Sequence, residues 1–145
     1  MNELVFRNLS EDAKRQICAW KYGGEYDLYN LPAYEEMQVR QIGFMNPKSE
    51  KNYYGFWDES ILVGFVNILE EKEEVFIGIG VNPDLCNKHY GQRMLLITYE
   101  ISKKLYPDKP LYLEVRTWNI RAVKCYQKAG FRIDGQAYEL TTGIG

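Results

Sequence analysis

Residues 75–94 combine a strand-like run, a short loop and the start of a helix, and this pattern can bind an anion. Val75 to Val81 has the composition and length of a strand, and Asn82-Pro83-Asp84 ends it because proline has no N–H for pairing. The inward face of the helical pattern after Gly91 consists of Met94, Thr98, Ile101 and Leu105. Because the first turn of a helix has unpaired N–H groups and a positive dipole end, this segment predicts a phosphate site.

The loop before this helix supplies the candidate phosphate contacts. A nest of backbone N–H groups can hold an anion whatever the side chains are, and Arg93 adds positive charge on the helix side. The candidate residues are Asn87, Lys88, His89, Tyr90, Gly91 and Gln92. His89 is the only histidine, a residue type suited to proton transfer near neutral pH. Its place in the loop favours a phosphate contact over catalysis.

A second strand and helix pattern covers Leu111 to Phe131. Asn119 is a suitable N-cap for this helix. Ala122, Tyr126 and Ala129 share one face of it, which is also the pattern of a core-facing helix. Tyr126 is therefore either a packed core aromatic or a proton donor.

Together these two patterns resemble the GNAT family of acetyl-CoA-dependent N-acetyltransferases. The family motif V-x-P, then Q/R-x-x-G-x-G/A, corresponds to Val81-Asn82-Pro83 and Cys86 to Gly91. Cys86 replaces the usual Gln or Arg, and His89 replaces the first glycine. The motif N-x-x-A-x-x-x-Y-x-x-x-G-F is matched by Asn119, Ala122, Tyr126, Gly130 and Phe131. The resemblance is strong over Ile61 to Phe131 and looser in the N-terminal half.

This resemblance implies that acetyl-CoA is the co-substrate and that its pyrophosphate lies against the loop N–H groups. It implies that Tyr126 lies near the thioester sulfur and protonates the leaving thiolate. Asn119 is expected to contact the pantetheine arm as well as to cap its helix. The backbone groups expected to pair with that arm belong to Ile79, Gly80 and Val81.

The general base has three candidates. Many family members have a glutamate near the start of the central strand, so the resemblance suggests Glu74 as the catalytic base. Strand side chains alternate between faces, so an offset of one residue decides whether Glu74 points at the site. Glu114 on the neighbouring strand and a chain of waters are the alternatives.

The acceptor amine is expected to bind the tyrosine-rich segment of the N-terminal half. Aromatic faces and carboxylates both attract ammonium groups. The substrate-binding candidates are Tyr22, Glu25, Tyr26 and Tyr29. A packed loop without a ligand is the alternative interpretation.

The elements that must position these residues form a mixed α/β pattern. Leu4–Asn8, Tyr53–Trp57 and Ile61–Leu69 have strand patterns, Ser10 caps a first helix, and a second helix is predicted from Pro32 to Phe44. Residues 131–134 and 137–140 are predicted closing strands, with the last family strand short or absent. The resulting prediction is a GNAT fold in which about four helices flank a mixed sheet of six or seven strands, an antiparallel meander followed by a splayed parallel pair.

Composition limits the function classes. The 145 residues are 46% hydrophobic, which favours one folded domain over residues 1–145. With 18 basic and 20 acidic residues the net charge is -2, so a nucleic-acid partner is not expected. No apolar run approaches the roughly 18 residues that span a bilayer. We therefore expect no membrane partner, a cytoplasmic location and, with three cysteines in no ligand spacing, no metal site.

Two further functions remain open at this stage. The same fold could hold acyl-CoA without turnover, as a sensor, or serve as an interaction domain with no CoA site. A homodimer is a possible assembly that the sequence leaves open.

Overall fold

The computed structural model describes residues 3–86, 88–116 and 118–132. In this part of the chain five strands form one sheet in the order β1 to β5. The strands are β1 (Val5–Asn8), β2 (Tyr53–Asp58), β3 (Ile61–Glu70), β4 (Val75–Val81) and β5 (Leu111–Tyr112). The α-helices are α1 (Glu11–Ala19), α2 (Tyr34–Arg40), α3 (Tyr90–Leu105) and α4 (Ile120–Lys128). Short 3₁₀ helices occur at Gly24–Tyr29, Gly43–Met45, Glu50–Asn52 and Pro83–Leu85.

The sheet is the predicted antiparallel meander, β1 to β4, followed by one parallel pair. β4 and β5 pair only through Val75 with Leu111 and Phe76 with Tyr112. From Ile77 onward, the edge of β4 that faces β5 has no strand partner among the described residues. The predicted divergence of the parallel pair is therefore present.

The predicted strand count of six or seven is not matched. Five strands are found in the described residues, and Phe131 and Arg132 do not belong to a strand. The rest of the predicted closing strands, residues 133–134 and 137–140, lies outside the described residues.

Apolar side chains on the two faces of the sheet build two cores. On one face α1 and α2 cover Leu62 and Phe65, and on the other α3 covers Val66 and Ile77. Met94 and Thr98 of α3 are buried as predicted, whereas Leu105 at its last position is half exposed. None of the helices in the described residues is long and apolar enough to cross a membrane.

For the two N-terminal helices, the predicted start of α1 is confirmed and the predicted extent of α2 is wrong. Ser10 caps α1, and its Oγ accepts a hydrogen bond of 3.1 Å from the Ala13 N–H. α2 was predicted to run from Pro32 to Phe44, but it begins at Tyr34 and ends at Arg40. Gln41 follows with a φ of 52°, which breaks the helix, and the next turn buries Phe44 in the core.

His89, the residue before α3, also has a left-handed backbone, with a φ of 66°. This conformation costs most side chains about 1 kcal/mol or more, and glycine is free of that cost. The motif that this segment resembles has glycine at this position, a residue that adopts such a backbone without this cost.

We expect His89→Gly to be more stable than His89→Ala by about 1 kcal/mol. Both variants remove the imidazole, and only glycine also removes the strain. Urea denaturation of the two purified variants measures the difference. An alanine variant as stable as the glycine variant would contradict a strained backbone at His89.

Candidate active site

A cavity of about 390 Å³ lies beside the carboxyl end of β4, where β4 and β5 have diverged. Its walls contain most of the predicted cofactor-binding residues, namely Ile79, Gly80, Val81, His89, Tyr90, Gly91, Gln92, Asn119 and Tyr126. Lys88 is exposed and not part of the wall, and Asn87 lies outside the described residues. The fold thus gathers around one cavity two motifs that are separate in the sequence.

Asn82 fixes the direction in which the chain leaves β4. Its Nδ2 donates to the Leu62 carbonyl at 3.1 Å, and its Oδ1 accepts from the Asp84 N–H at 3.0 Å. Its own N–H donates to the Val63 carbonyl at 2.8 Å. These bonds tie the loop back to β3, so the loop delivers the first turn of α3 to the cavity.

The first turn of α3 points its backbone N–H groups away from the helix body, where they have no intrahelical acceptor. Tyr90, Gly91 and Gln92 of this turn line the cavity. The Tyr90 hydroxyl donates to Asp58 Oδ2 at 2.6 Å, and this bond raises the pKa of Tyr90. Tyr90 therefore anchors the turn to β2, and its phenol remains protonated.

Gly91 allows α3 and α4 to approach closely. A Cβ at this position would lie 3.0 Å from Cys125 Sγ and 3.6 Å from Val81 Cγ2. A side chain there would push α4 away from α3 and alter the cavity between them. The glycine of the motif thus has a packing role in this chain.

Tyr126 projects from α4 into the cavity wall. Burial raises the pKa of its hydroxyl, and Cys125 and Tyr29 nearby raise it further. The hydroxyl therefore keeps its proton at neutral pH, which a proton donor requires. Tyr126 therefore lines the cavity in its protonated form, and its role as a proton donor stays a prediction.

Asn119 links α4 to the N-terminal half. It is 7% exposed, and its Oδ1 accepts from the Ala122 N–H at 3.2 Å, which confirms the predicted cap. Its Nδ2 donates to the Tyr29 hydroxyl at 3.1 Å. The cap residue therefore holds a cavity tyrosine in place.

The N-terminal tyrosines form the wall of the cavity that adjoins the start of α4. Tyr22, Tyr26 and Tyr29 line the cavity, whereas Glu25 is exposed and does not. The rings of Tyr26 and Tyr29 lie 5.6 and 6.3 Å from that of Trp118. The structure thus brings together three of the four predicted substrate-binding residues.

Tyr22 reaches the end of the central strand. Its hydroxyl donates to the Val81 carbonyl at 2.6 Å, and burial raises the pKa of Tyr22 so that the proton is retained. One lone pair of the Val81 carbonyl is therefore already used by the protein.

The Val75 N–H bonds the Pro110 carbonyl and the Asn82 N–H bonds the Val63 carbonyl, so alternation along β4 turns the groups of Ile79 and Val81 to the open edge and those of Gly80 to β3. A ligand pairing along this edge therefore has both groups of Ile79 and the N–H of Val81 as partners, and the predicted partner Gly80 is already paired with β3.

The structure separates the two glutamate candidates for the base. Glu74 is exposed and precedes β4, on the order of 20 Å along the strand from the phosphate loop. It is not part of the cavity wall, whereas Glu114 is. The structure therefore does not bring Glu74 together with Tyr126, and it favours Glu114.

Sequence reasoning missed a row of cations on α4. Arg121, Lys124 and Lys128 line the cavity, and their spacing of three and four residues places them on one helical face. That spacing was the signal that would have found them. Arg121 stacks on the Tyr26 ring, with its Cζ 4.2 Å from the ring centroid. In the described ranges, no group of three or more His, Cys, Asp or Glu residues could hold a metal ion.

Comparison with known proteins identifies the family. The profile of the Acetyltransferase (GNAT) family matches residues 9–131, so the chain belongs to the GNAT acetyltransferase family. No curated relative matches the chain by sequence.

Solved structures agree with this fold at low sequence identity. A GNAT-family acetyltransferase from Bacillus anthracis gives a TM-score of 0.72 at 19% identity, covering 92% of this chain and 82% of its own. The Vibrio cholerae spermidine N-acetyltransferase in complex with CoA and spermine gives 0.70 at 17%, covering 97% and 90%. A protein described as a transcriptional regulator from Bacillus halodurans C-125 gives 0.73 at 14%, covering 95% and 99%.

The packing role of Gly91 can be tested by substitution at both contacting residues. We expect Gly91→Ala to destabilise the protein, and the same change in a Cys125→Ala background to be neutral or stabilising. The coupling between the two sites should be at least about 0.5 kcal/mol, because the smaller residue 125 removes the clash. Denaturation of the four proteins in the cycle measures it.

The double variant keeps every N–H group of the first turn, so its affinity for acetyl-CoA should stay near that of the wild type. Additive stability changes in the cycle would show that Gly91 and Cys125 do not constrain each other.

Proposed function

We propose that this protein transfers the acetyl group of acetyl-CoA directly to a primary amine. The observation that carries the proposal is the single cavity that joins an unpaired segment of β4, the N-terminus of α3 and the protonated Tyr126 hydroxyl. The unpaired strand segment can pair with the pantetheine arm and the helix N-terminus with the phosphates. The Tyr126 hydroxyl can protonate the leaving thiolate.

The cofactor would be held mainly by backbone groups. Ile79 offers its N–H and C=O groups and Val81 its N–H to the pantetheine arm, and the first turn of α3 offers N–H groups to the pyrophosphate. Lys124 and Lys128 on the cavity side of α4 supply positive charge for the remaining phosphate oxygens. Acetyl-CoA supplies an activated acyl group bonded to sulfur.

The cavity contains a proton donor for the leaving sulfur and a proton acceptor for the attacking amine. The neutral amine attacks the thioester carbonyl carbon, and the C–S bond breaks as the C–N bond forms. The Tyr126 hydroxyl gives its proton to the departing sulfur, and a base removes one proton from the amine nitrogen. We assign this base to Glu114, directly or through water, because Glu114 lines the same cavity as Tyr126. Binding both substrates side by side supplies much of the remaining rate.

The acceptor is expected to enter past the tyrosine wall. Tyr22, Tyr26 and Tyr29 present aromatic surface to it. Glu25, exposed outside the wall, can only attract a cationic amine at long range.

The test of the proposed function is release of the CoA thiol from acetyl-CoA across a panel of primary amines. Amine-dependent thiol release and an acetylated product detected by mass spectrometry would support it. Binding of acetyl-CoA by calorimetry with no release for any amine would instead support a non-catalytic acyl-CoA-binding module.

Removing the Tyr126 hydroxyl should slow the chemical step. Tyr126→Phe keeps the ring, so we expect turnover to fall roughly 10²-fold with the affinity for acetyl-CoA nearly unchanged. Because its pKa is raised, Tyr126 keeps its proton, and the wild-type rate should show no alkaline loss from this group below about pH 10. Single-turnover rates over a pH range measure both effects. A variant equal to the wild type at every pH would assign Tyr126 to packing.

Glu114→Gln and Glu74→Gln form a matched pair that tests the base. We expect Glu114→Gln to lower kcat/KM roughly 10²-fold near neutral pH and Glu74→Gln to leave it unchanged. The deficit of Glu114→Gln should shrink as pH rises, since a larger share of the amine is then already neutral. The reverse ranking of the two variants would restore Glu74 as the base.

A further inference from the structure

The charged side chains of the candidate active site are mostly cations. Among the described residues that line it, the one carboxylate belongs to Glu114, and the cations are Arg116, Arg121, Lys124 and Lys128. In the proposed function the cofactor phosphates account for the two lysines, and Arg121 stacks on the Tyr26 ring. Arg116 has neither use, so its charge in the cavity wall needs a separate explanation.

The guanidinium group of Arg116 is half-buried and has no counter-charge in the described part of the chain. None of the ion pairs, side-chain hydrogen bonds or ring contacts found there involves it. Its Nε is buried without an acceptor, so the terminal nitrogens, which lie beyond Nε, are the donors that can reach a ligand in the cavity. A partly desolvated cation without a partner lowers stability, and its place in this wall indicates an anionic group of a ligand as that partner.

The register of the sheet places Arg116 beside the segment of β4 that is expected to pair with the pantetheine arm. Leu111 pairs with Val75, so counting along the two parallel strands sets Arg116 level with Gly80. The chain leaves β4 for the phosphate loop only after Val81. The pantetheine arm carries no charge, so the cofactor offers Arg116 no anion at this level. The acceptor is the remaining source of one.

Glu114, the proposed base, lies on the same face of the sheet as Arg116. Leu113 packs in the core that α3 covers, whereas Tyr112 before it stacks on Phe76. This alternation directs Glu114 to the face of Tyr112, and two further residues bring Arg116 to that face as well. Both line the cavity, and their Cα atoms are roughly 7 Å apart along the chain. A carboxylate and a guanidinium group therefore lie side by side where the acceptor must bind.

We propose that Arg116 binds a carboxylate of the acceptor and that the acceptor is an α-amino acid with an apolar side chain. This rests on the proposed function and names the substrate class of the same cavity. In an α-amino acid one carbon carries both the amine and the carboxylate, so a single molecule places the first at Glu114 and the second at Arg116. The guanidinium fork matches a carboxylate with two parallel hydrogen bonds. Tyr22, Tyr26 and Tyr29 offer aromatic surface to the side chain.

This acceptor differs from a polyamine, which has no anionic group for Arg116. A polyamine also carries further ammonium groups, and Arg116 and Arg121 in the cavity wall repel them. We therefore expect the similarity in fold to a spermidine N-acetyltransferase not to extend to the acceptor.

L-phenylalanine, L-phenylalaninamide and phenethylamine are suitable probes, since they share a ring and a primary amine and only the first has a carboxylate. For the wild type we expect kcat/KM to be roughly tenfold higher with phenylalanine than with phenethylamine, and lowest with spermidine. Arg116→Gln should lower kcat/KM for phenylalanine roughly 10- to 100-fold and leave the values for the other two probes unchanged. Comparing variant with wild type for each probe separately cancels the different basicities of the amines.

Arg15→Gln is the matched control, because Arg15 is exposed and stacks on Tyr34 outside the cavity. It removes the same charge from the protein and should leave all four rates unchanged. Arg116→Lys keeps the charge without the fork, so its loss with phenylalanine should be smaller than that of Arg116→Gln.

Urea denaturation tests whether Arg116 has a structural role instead. Arg116→Gln should be at least as stable as the wild type, because the replaced group has no partner to lose among the described residues. A destabilised variant, or an equal loss of rate with all three aromatic probes, would overturn the assignment.

Calorimetric titration of phenylalanine into the protein saturated with CoA separates this inference from the proposed function. Binding that Arg116→Gln abolishes, with no thiol release for any amine, would refute the transferase proposal and support the carboxylate site. Thiol release that is as fast with phenethylamine as with phenylalanine would do the reverse. The affinity of Arg116→Gln for acetyl-CoA should stay near that of the wild type, and a loss as large as that for phenylalanine would assign Arg116 to the cofactor and overturn the inference.

Discussion

The early end of pairing between β4 and β5 is the constraint on which the rest of the structure depends. Two residue pairs join these strands before they diverge, so the carboxyl half of β4 keeps unpaired backbone groups on one edge. Unpaired strand groups in an interior cost free energy unless something pairs with them. The opening also brings the first turn of α3 and the side of α4 to one cavity. A ligand that satisfies the edge and the helix terminus together recovers this cost on binding.

The N-terminal half is attached to this opening by polar bonds and stacked rings. Tyr22 holds the Val81 carbonyl, and Tyr29 accepts from Asn119 at the cap of α4. Trp118 packs against Tyr26 and Tyr29, so the tyrosine segment contacts the start of α4. Both bonds cross between segments that are distant in sequence. The α4 side and the tyrosine side of the cavity are therefore joined by direct contacts.

The sequence predicted an element correctly where its limits depend on a few neighbouring residues. The cap by Ser10, the cap by Asn119 and the limits of β4 each follow from a few neighbouring residues. The prediction was wrong for the end of α2, where burial of Phe44 and a left-handed Gln41 outweighed helical periodicity. The site was predictable through its two motifs, but Glu74 and Glu114 could not be ranked, since that ranking depends on which end of β4 faces the cavity. The links from Tyr22 to Val81 and from Tyr29 to Asn119 have no local signature at all.

Buried polar atoms without partners carry the same kind of cost as the unpaired strand edge. Asn67 Oδ1, Ser102 Oγ and Arg116 Nε are such atoms in the described part of the chain, and of these three residues Arg116 lines the candidate active site. Replacing such groups by apolar ones would be expected to stabilise a protein selected for stability alone. Arg116 follows β5, the strand that diverges from β4, so its cationic side chain and the unpaired edge of β4 belong to the same opening of the sheet. The free-energy cost of this opening is therefore concentrated at the candidate active site.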